Sequence, residues 1–200
     1  MPDIVLAPFS NSDIRDWPIP SWIGLVAELI HRRPSGPTIR IIGTPAQRVP
    51  AREIVRPFGA ERVVNECGRL PWPTVLNLIR NADCVVGNNS GIAHIAGNLG
   101  APTVCVFGGS HQRLEWRPLG SNVRTISRVI ACSPCHLDHG ATCPFDKACL
   151  RDIDASLVAN EVEALCEGSS SAKGREISER ANLRPPAETT SFLSETVRSA

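Results

Sequence analysis

VVGNNSGIAHIAGNLGAPTVCVFGG, residues 85–109, decides how this chain folds. An apolar run gives way to four small polar residues, Asn88, Asn89, Ser90 and Gly91. Ile92, Ile95, Ala96 and Leu99 then recur at helical spacing, Gly100 supplies a stop, and Thr103 to Phe107 is apolar again. The pattern is strand, helix, strand. In an open parallel sheet, ligands gather outside the carboxyl ends of the strands. A helix that opens there presents N–H groups without intrahelical acceptors and a fractional positive charge, which favours an anion. Gly91 admits close approach, Ser90 or Asn89 caps or donates, and His94, off the apolar face, can donate to phosphate. The same residues also suit ordinary helix capping and a structural histidine, so both readings stand. Neither GxGxxG nor Gly-Lys-Ser/Thr occurs, which sets aside the dinucleotide fingerprint and the Walker loop.

Working outward, strand and helix patterns alternate. Ile4 to Ala7 is a short apolar run. Trp22 to His31 carries Trp22, Leu25, Val26, Leu29 and Ile30 at helical spacing, stopped by Pro34-Ser35-Gly36. Thr38 to Ile42 reads as a strand, Ala51 to Phe58 as a helix, and Arg62 to Val64 as a brief strand. Pro73 opens a helix through Arg80. Cys84 to Val86 is the next strand, and Val123 to Ile126 a sixth. Near-continuous apolar strands with short connections predict an α/β fold, an open parallel sheet with helices on both faces, Rossmann-like. Asp154 caps a last helix through Cys166, with Leu157, Val158, Val162 and Leu165 on one face. From Gly168 the chain is rich in Ser, Glu, Arg and Pro. The expected organisation is a domain over residues 1–167, interrupted by a Cys-rich loop over 131–150, and a disordered tail over 168–200.

The totals agree. A chain of 200 residues, 42% apolar with net charge +1, suits one or two globular domains and gives no electrostatic reason to expect nucleic acid. No run approaches the ~18 apolar residues of a membrane span, and the N-terminus lacks a signal-peptide pattern. A cytoplasmic location is expected, the inner face of the inner membrane included.

Residues 85–109 resemble the segment of glycosyltransferase family 9 written loosely D-S/T-G-P-x-H-x-A-x-x-L-G-x-P-x-V-x-x-F-G. Pro8-Phe9-Ser10-Asn11 with Arg15-Asp16-Trp17-Pro18 is similar to the family's P-G-A/S-x…K-x-W-P element. Ile41-Ile42-Gly43-Thr44-Pro45 is similar to its G-G/T-P segment, and Trp116-Arg117-Pro118-Leu119-Gly120 follows the Phe107-Gly108-Gly109 turn as it does there. The ordered matches span roughly residues 4–166. The family includes ADP-heptose:lipopolysaccharide heptosyltransferases of the two-domain GT-B arrangement. This chain resembles the C-terminal, nucleotide-sugar-binding half, with Met1 where the interdomain linker would deliver it.

That resemblance implies donor contacts position by position. Ser10 and Asn11 match a small polar pair near the diphosphate. Arg15 stands for a phosphate-contacting lysine, and arginine can grip phosphate in bidentate fashion. Ser90, Gly91 and Ile92 would offer amides, with His94 beside them. Gln47 lies where an acidic residue meets the ribose. Asn89 replaces an aspartate associated with the sugar hydroxyls, keeping hydrogen-bonding capacity without the charge. On the residues alone, Ser10 and Asn11 also fit an Asx-type turn and Arg15 a solvated charge, while Trp17, Trp22, Trp72 and Trp116 read as packing residues. The family's general base belongs to the other half, so no catalytic residue is assigned here and no cofactor is expected.

The implied partners are a nucleotide-diphospho-sugar such as ADP-heptose, a glycan or lipopolysaccharide acceptor, and a separate acceptor-binding domain. The expected activity is sugar transfer by the donor half of a transferase, not necessarily active alone. The alternative is a non-catalytic nucleotide-binding module or truncated remnant that needs an acceptor domain in trans. Cys132, Cys135, Cys143 and Cys149 cluster as CSPCHLDHGATCPFDKACL with only one short knuckle, a partial match to a tetrahedral thiolate site. Cys-bearing loops in relatives favour a structural role at the edge of the fold.

Overall fold

The structure is a computed structural model and describes residues 3–182. Six strands form one parallel sheet: β1 (Ile4–Ala7), β2 (Ile39–Ile41), β3 (Val63–Asn65), β4 (Cys84–Asn88), β5 (Thr103–Phe107) and β6 (Val123–Ser127). Their spatial order is β3-β2-β1-β4-β5-β6. The sequence reverses direction across the sheet between β1 and β4, which pair in parallel with Val5 opposite Val85 and Ala7 opposite Gly87. A parallel sheet joined by helical crossovers is covered on both faces, so its central strands are apolar throughout. All residues of β1, β4 and β5 are buried.

Side-chain alternation sorts those residues into two cores. Ile4, Leu6, Ile39, Ile41, Val86, Val104 and Val106 face helices α1 (Ile19–Arg32), α2 (Arg48–Val55) and a long C-terminal helix. Val5, Ala7 and Val85 face α3 (Trp72–Asn81) and α4 (Gly91–Asn98), where Ile79 and Ala96 complete the second core. Two single-turn helices, α5 (Arg113–Trp116) in the β5–β6 crossover and α6 (Ala148–Arg151) after β6, are too short to leave a periodic signal in sequence.

α1 forms because Trp22, Leu25, Val26 and Leu29 recur on one face, proline occupies its first turn, and His31 and Arg32 sit favourably at its carboxyl end. Trp17 and Trp22, both buried, meet edge to face at 5.2 Å. α4 is built to lie close to its neighbours. A side chain at Gly97 would strike the Leu119 carbonyl and approach Val123 to 3.0 Å, so only glycine lets the helix reach β6.

The last helix, α7, is Ala155–Asn182. Asp154 caps it as expected, accepting the Ser156 N–H at 2.8 Å. Its Val158, Ala159 and Val162 are buried against the sheet, and Glu163 pairs with Arg33, just past α1, at 2.6 Å. The helical backbone continues past Cys166, where the sequence reading ended it. No proline interrupts residues 168–182, and Ala, Lys, Arg and Glu there favour helix. Of the tail expected over 168–200, residues 183–200 lie outside the described residues. No helix among the described residues is long and apolar enough to cross a membrane.

Trp22 is fully buried at the junction of α1 and the sheet. Trp22→Ala is expected to lower unfolding stability by about 3–5 kcal/mol, read as a shifted urea midpoint with an unchanged slope. A loss under about 1 kcal/mol would show that this core collapses readily around the deletion.

Candidate functional site

Because β1 and β4 are neighbours whose following helices depart to opposite faces, a crevice opens outside their carboxyl ends. Its volume is about 810 Å³. One end is polar, lined by Ser10 and Asn11 after β1 and by Ser90, Gly91 and Ile92 at the mouth of α4. The other is largely apolar, walled by Ile42, Leu70, Trp72, Val75 and Ile95.

Ser90 is the N-cap of α4, in extended conformation and without a side-chain cap bond. Its carbonyl accepts the N–H groups of Ala93 and His94, and those of Gly91 and Ile92 find no acceptor among the described residues. Its hydroxyl is buried and makes no hydrogen bond. Among the described residues, the N–H groups of Gly91 and Ile92 thus stand without a partner at the polar end of the crevice, where the helix dipole adds positive potential.

The loop from β1 to α1 is shaped by two polar side chains that sequence reading missed, the buried Asn88 and the half-buried Asp16. Asn88, fully buried at the end of β4, accepts the Trp17 N–H at 3.1 Å and donates to the Pro8 carbonyl at 2.5 Å and to Asp16 at 3.2 Å. Asp16 accepts the Ser10 N–H at 2.8 Å. Ser10 also closes a turn with Ser12, donating its hydroxyl to the Ser12 carbonyl at 2.6 Å. Ser10 thus shapes the loop, with both its own donors spent inside it. The sequence signal was there in outline: of two consecutive asparagines at a strand end, one is the staple.

Arg15 donates to the Asn11 side chain and, at 3.5 Å, to the Asn89 carbonyl, while its Nε is buried and unpaired. The His94 ring sits 3.3 Å from the Asn89 side-chain oxygen. Arg15, Asn11, Asn89 and His94 are therefore gathered around the start of α4, but of these only Asn11 lines the crevice. Asn89 is almost entirely buried against His94, a position that holds the imidazole and does not line the crevice. Gln47 does line it, but its amide closes a capping box with Thr44, whose N–H it accepts at 2.8 Å, and donates to the Ser10 carbonyl at 3.4 Å. Glu66, beside it, is held at one oxygen by Arg40 at 2.7 Å and faces the crevice. It escaped sequence reading because the residues after β3 carry no motif.

The tryptophans divide. Trp17 and Trp22 pack in the core as expected. Trp72 and Trp116 are each 52% exposed, a correction to the reading of all four as packing residues. Trp72 opens α3 at the crevice rim, where its first-turn position leaves the ring facing solvent. Trp116 lies edge-on to His111. Burial and the Arg15 charge push the His111 pKa down.

With this geometry in place, the comparisons are specific. The model of glycosyltransferase family 9 (heptosyltransferase) matches residues 1–148. The chain belongs to that family. Comparison with curated proteins finds no matching sequence. Among solved structures, it resembles ADP-heptose lps heptosyltransferase II of E. coli with a TM-score of 0.71 and 22% identity, over 84% of this chain and 47% of that one. The family 9 glycosyl transferase of Veillonella parvula gives 0.64 and 15%, over 82% and 46%. The iron-containing dodecameric glycosyltransferase TibC of enterotoxigenic E. coli gives 0.62 and 20%, over 84% and 45%. The chain spans about half the length of these structures, and its Rossmann-like sheet corresponds to the C-terminal half of the GT-B arrangement.

Burial raises the Asp16 pKa above its ordinary value of 3.8, against the opposing bonds from Ser10 and Asn88 and the Lys147 charge. The folded state thus holds the Asp16 proton to higher pH than the unfolded state. Ionising Asp16 costs stability at neutral pH, and the cost vanishes as pH falls below the unfolded value. Asp16→Asn keeps an acceptor for Ser10 and removes that cost. The variant is expected to melt above the wild type at pH 7, with the gap closing toward about pH 4. Thermal unfolding across that range checks it; a gap that widens at low pH refutes it.

Proposed function

We propose that this chain is the donor-binding half of a glycosyltransferase. It would take a nucleotide-diphospho-sugar into the crevice and support transfer of the sugar to a lipopolysaccharide or other surface-glycan acceptor bound by a separate domain. One observation carries this reading: free amides of Gly91 and Ile92 stand at one end of a crevice whose other end is an apolar wall. A diphosphate matches the first and a nucleoside the second. Family membership and the heptosyltransferase folds support the same assignment.

The chemistry follows from charge. As the bond from sugar to diphosphate breaks, negative charge grows on the leaving phosphate. The α4 N-terminus, the Ser90 hydroxyl and Arg15 stabilise that charge more in the transition state than in the ground state. Glu66, already oriented by Arg40, is better placed to accept from ribose hydroxyls than Gln47, whose carbonyl is engaged at Thr44. The apolar wall with Trp72 takes the base.

Titration calorimetry of the chain with ADP, GDP, UDP and their sugars tests the reading. One nucleoside diphosphate is expected to bind, and Arg15→Ala to weaken it at least about tenfold. Binding is also expected to change Trp72 fluorescence, a change lost in Trp72→Phe. Failure of every nucleotide to bind, or unchanged affinity in Arg15→Ala, counts against the site.

A second reading is a nucleotide-binding module without transfer activity, favoured by the neutral, buried Asn89 where the family carries an aspartate. Nucleotide binding is common to both. Sugar transfer on addition of an acceptor-binding domain belongs to the first alone.

A further inference from the structure

A second, smaller hollow lies outside the carboxyl ends of β5 and β6, where Phe107 pairs with Ser127. Its volume is about 190 Å³. That admits one charged group with part of a sugar ring and falls below the range that larger ligands such as nucleotides occupy.

The walls of the hollow carry one sign of charge. Arg113 and Arg128 line it together with His111, and no carboxylate does. Arg113, exposed on the single turn of α5, makes no hydrogen bond or ion pair among the described residues. Arg128 reaches the Asp152 carboxylate only at 3.8 Å and its carbonyl at 3.5 Å, both through one terminal nitrogen. Glu115, the acid of α5, lies outside the lining. A single exposed arginine is ordinarily a solvated charge. Two that share one hollow with no acid lining it repel each other, and an anion between them turns that repulsion into attraction.

Uncharged groups add donors. The Ser133 hydroxyl accepts the Ile130 N–H at 3.3 Å, so its own hydrogen is available. The Ser127 hydroxyl has no partner among the described residues. Nδ1 of the His111 ring meets the Ser110 hydroxyl at 2.9 Å, which leaves Nε2 without a protein partner there. Any side chain at Gly109 would strike Ser133, so bare backbone at that position keeps the hydroxyl in place. Leu114 and Val129 also line the hollow, 70% and 73% exposed, apolar surface of the kind that the C–H face of a sugar ring covers.

Position ties this hollow to the crevice. β5 lies between β4 and β6, and neighbouring strands stand about 4.8 Å apart. The polar end of the crevice follows β4, so the hollow begins roughly 5–10 Å away. His111 links the two: it lines the hollow, and it is close enough to Arg15 for that charge to lower its pKa. Arg15 in turn donates to the Asn89 carbonyl beside the mouth of α4. A group held in the hollow is therefore within reach of a sugar joined to a diphosphate at that helix.

We infer that the hollow binds an anionic group, carboxylate or phosphoryl, carried by the sugar acceptor. Arg113 and Arg128 supply the charge, and Ser127 and Ser133 the neutral donors. The planar fork of arginine matches both kinds of oxyanion. The anion follows from the hollow's own residues, whereas its belonging to the acceptor rests on the reading of the crevice as a donor site. The consequence is selection: a neutral glycan gains little from two arginines, and an acidic one is held beside the donor.

The test is amide proton–nitrogen correlation spectra of the full chain, titrated with glucuronate, glucose-6-phosphate, inorganic phosphate and glucose, with and without nucleoside diphosphate. An acidic sugar is expected to shift the amides of residues 108–114 and 127–129 with a dissociation constant on the order of 1 mM, nucleotide present or not. Glucose at the same concentration is expected to leave them unmoved. A response to glucuronate alone marks a carboxylate source, and one to glucose-6-phosphate alone a phosphoryl source; either supports the site. The pair Arg113→Ala and Arg128→Ala, both on the surface, is expected to weaken this binding at least about tenfold while nucleotide affinity stays unchanged. If acidic sugars bind and every nucleotide fails, the donor reading falls and the anion site stands. If nucleotide binds while acidic sugars shift nothing, or shift the paired variant equally, the anion site falls. Inorganic phosphate that binds as tightly as glucose-6-phosphate overturns the assignment to an acceptor, because the sugar then contributes nothing.

Discussion

The pairing of β1 with β4 is the constraint on which the rest depends. It places two strands far apart in sequence side by side at the centre of the sheet, and their following helices leave to opposite faces. That divergence opens the crevice. Asn88 holds it in shape, because a fully buried amide with acceptors and donors on Pro8, Asp16 and Trp17 fixes the loop after β1 against the end of β4. A buried amide left without these partners would cost about 1–3 kcal/mol per lost bond. The loop and the strand end are consequently one unit.

What that unit leaves open is as informative as what it closes. The polar groups of Ser10, Gln47 and Asn88 are spent inside the protein, while the amides of Gly91 and Ile92 and the hydroxyl of Ser90 are not. Donors left without a protein partner at a helix mouth favour an anion there. The Cys-rich loop also reaches the segment between β1 and α1, through Asp138 and Lys147.

Much of this was legible in the residues. Strands at Ile4–Ala7 and Thr103–Phe107 follow from unbroken apolar runs, and the helix at Gly91 from its small polar entry, its period and Gly100. Gathering Arg15, Asn11, Asn89 and His94 around that helix followed from their order in a family-like pattern. The roles of Ser10, Gln47 and Asn89 were less legible. Each carries a side chain able to face a ligand or its own backbone, and the choice rests on neighbours a sequence window does not contain.

The sequence by itself determined the strand–helix alternation and the anion-favouring start of α4, because period, capping and dipole are properties of a few consecutive residues. Tertiary structure alone decided that Asn88 grips Asp16 from 72 positions away and Asp138 grips Ser12 from 126. It also decided that Trp72 stands at the crevice rim while Trp22 enters the core. Those outcomes depend on which surfaces the sheet brings together, and side-chain hydrogen bonds over such separations exist only once it has.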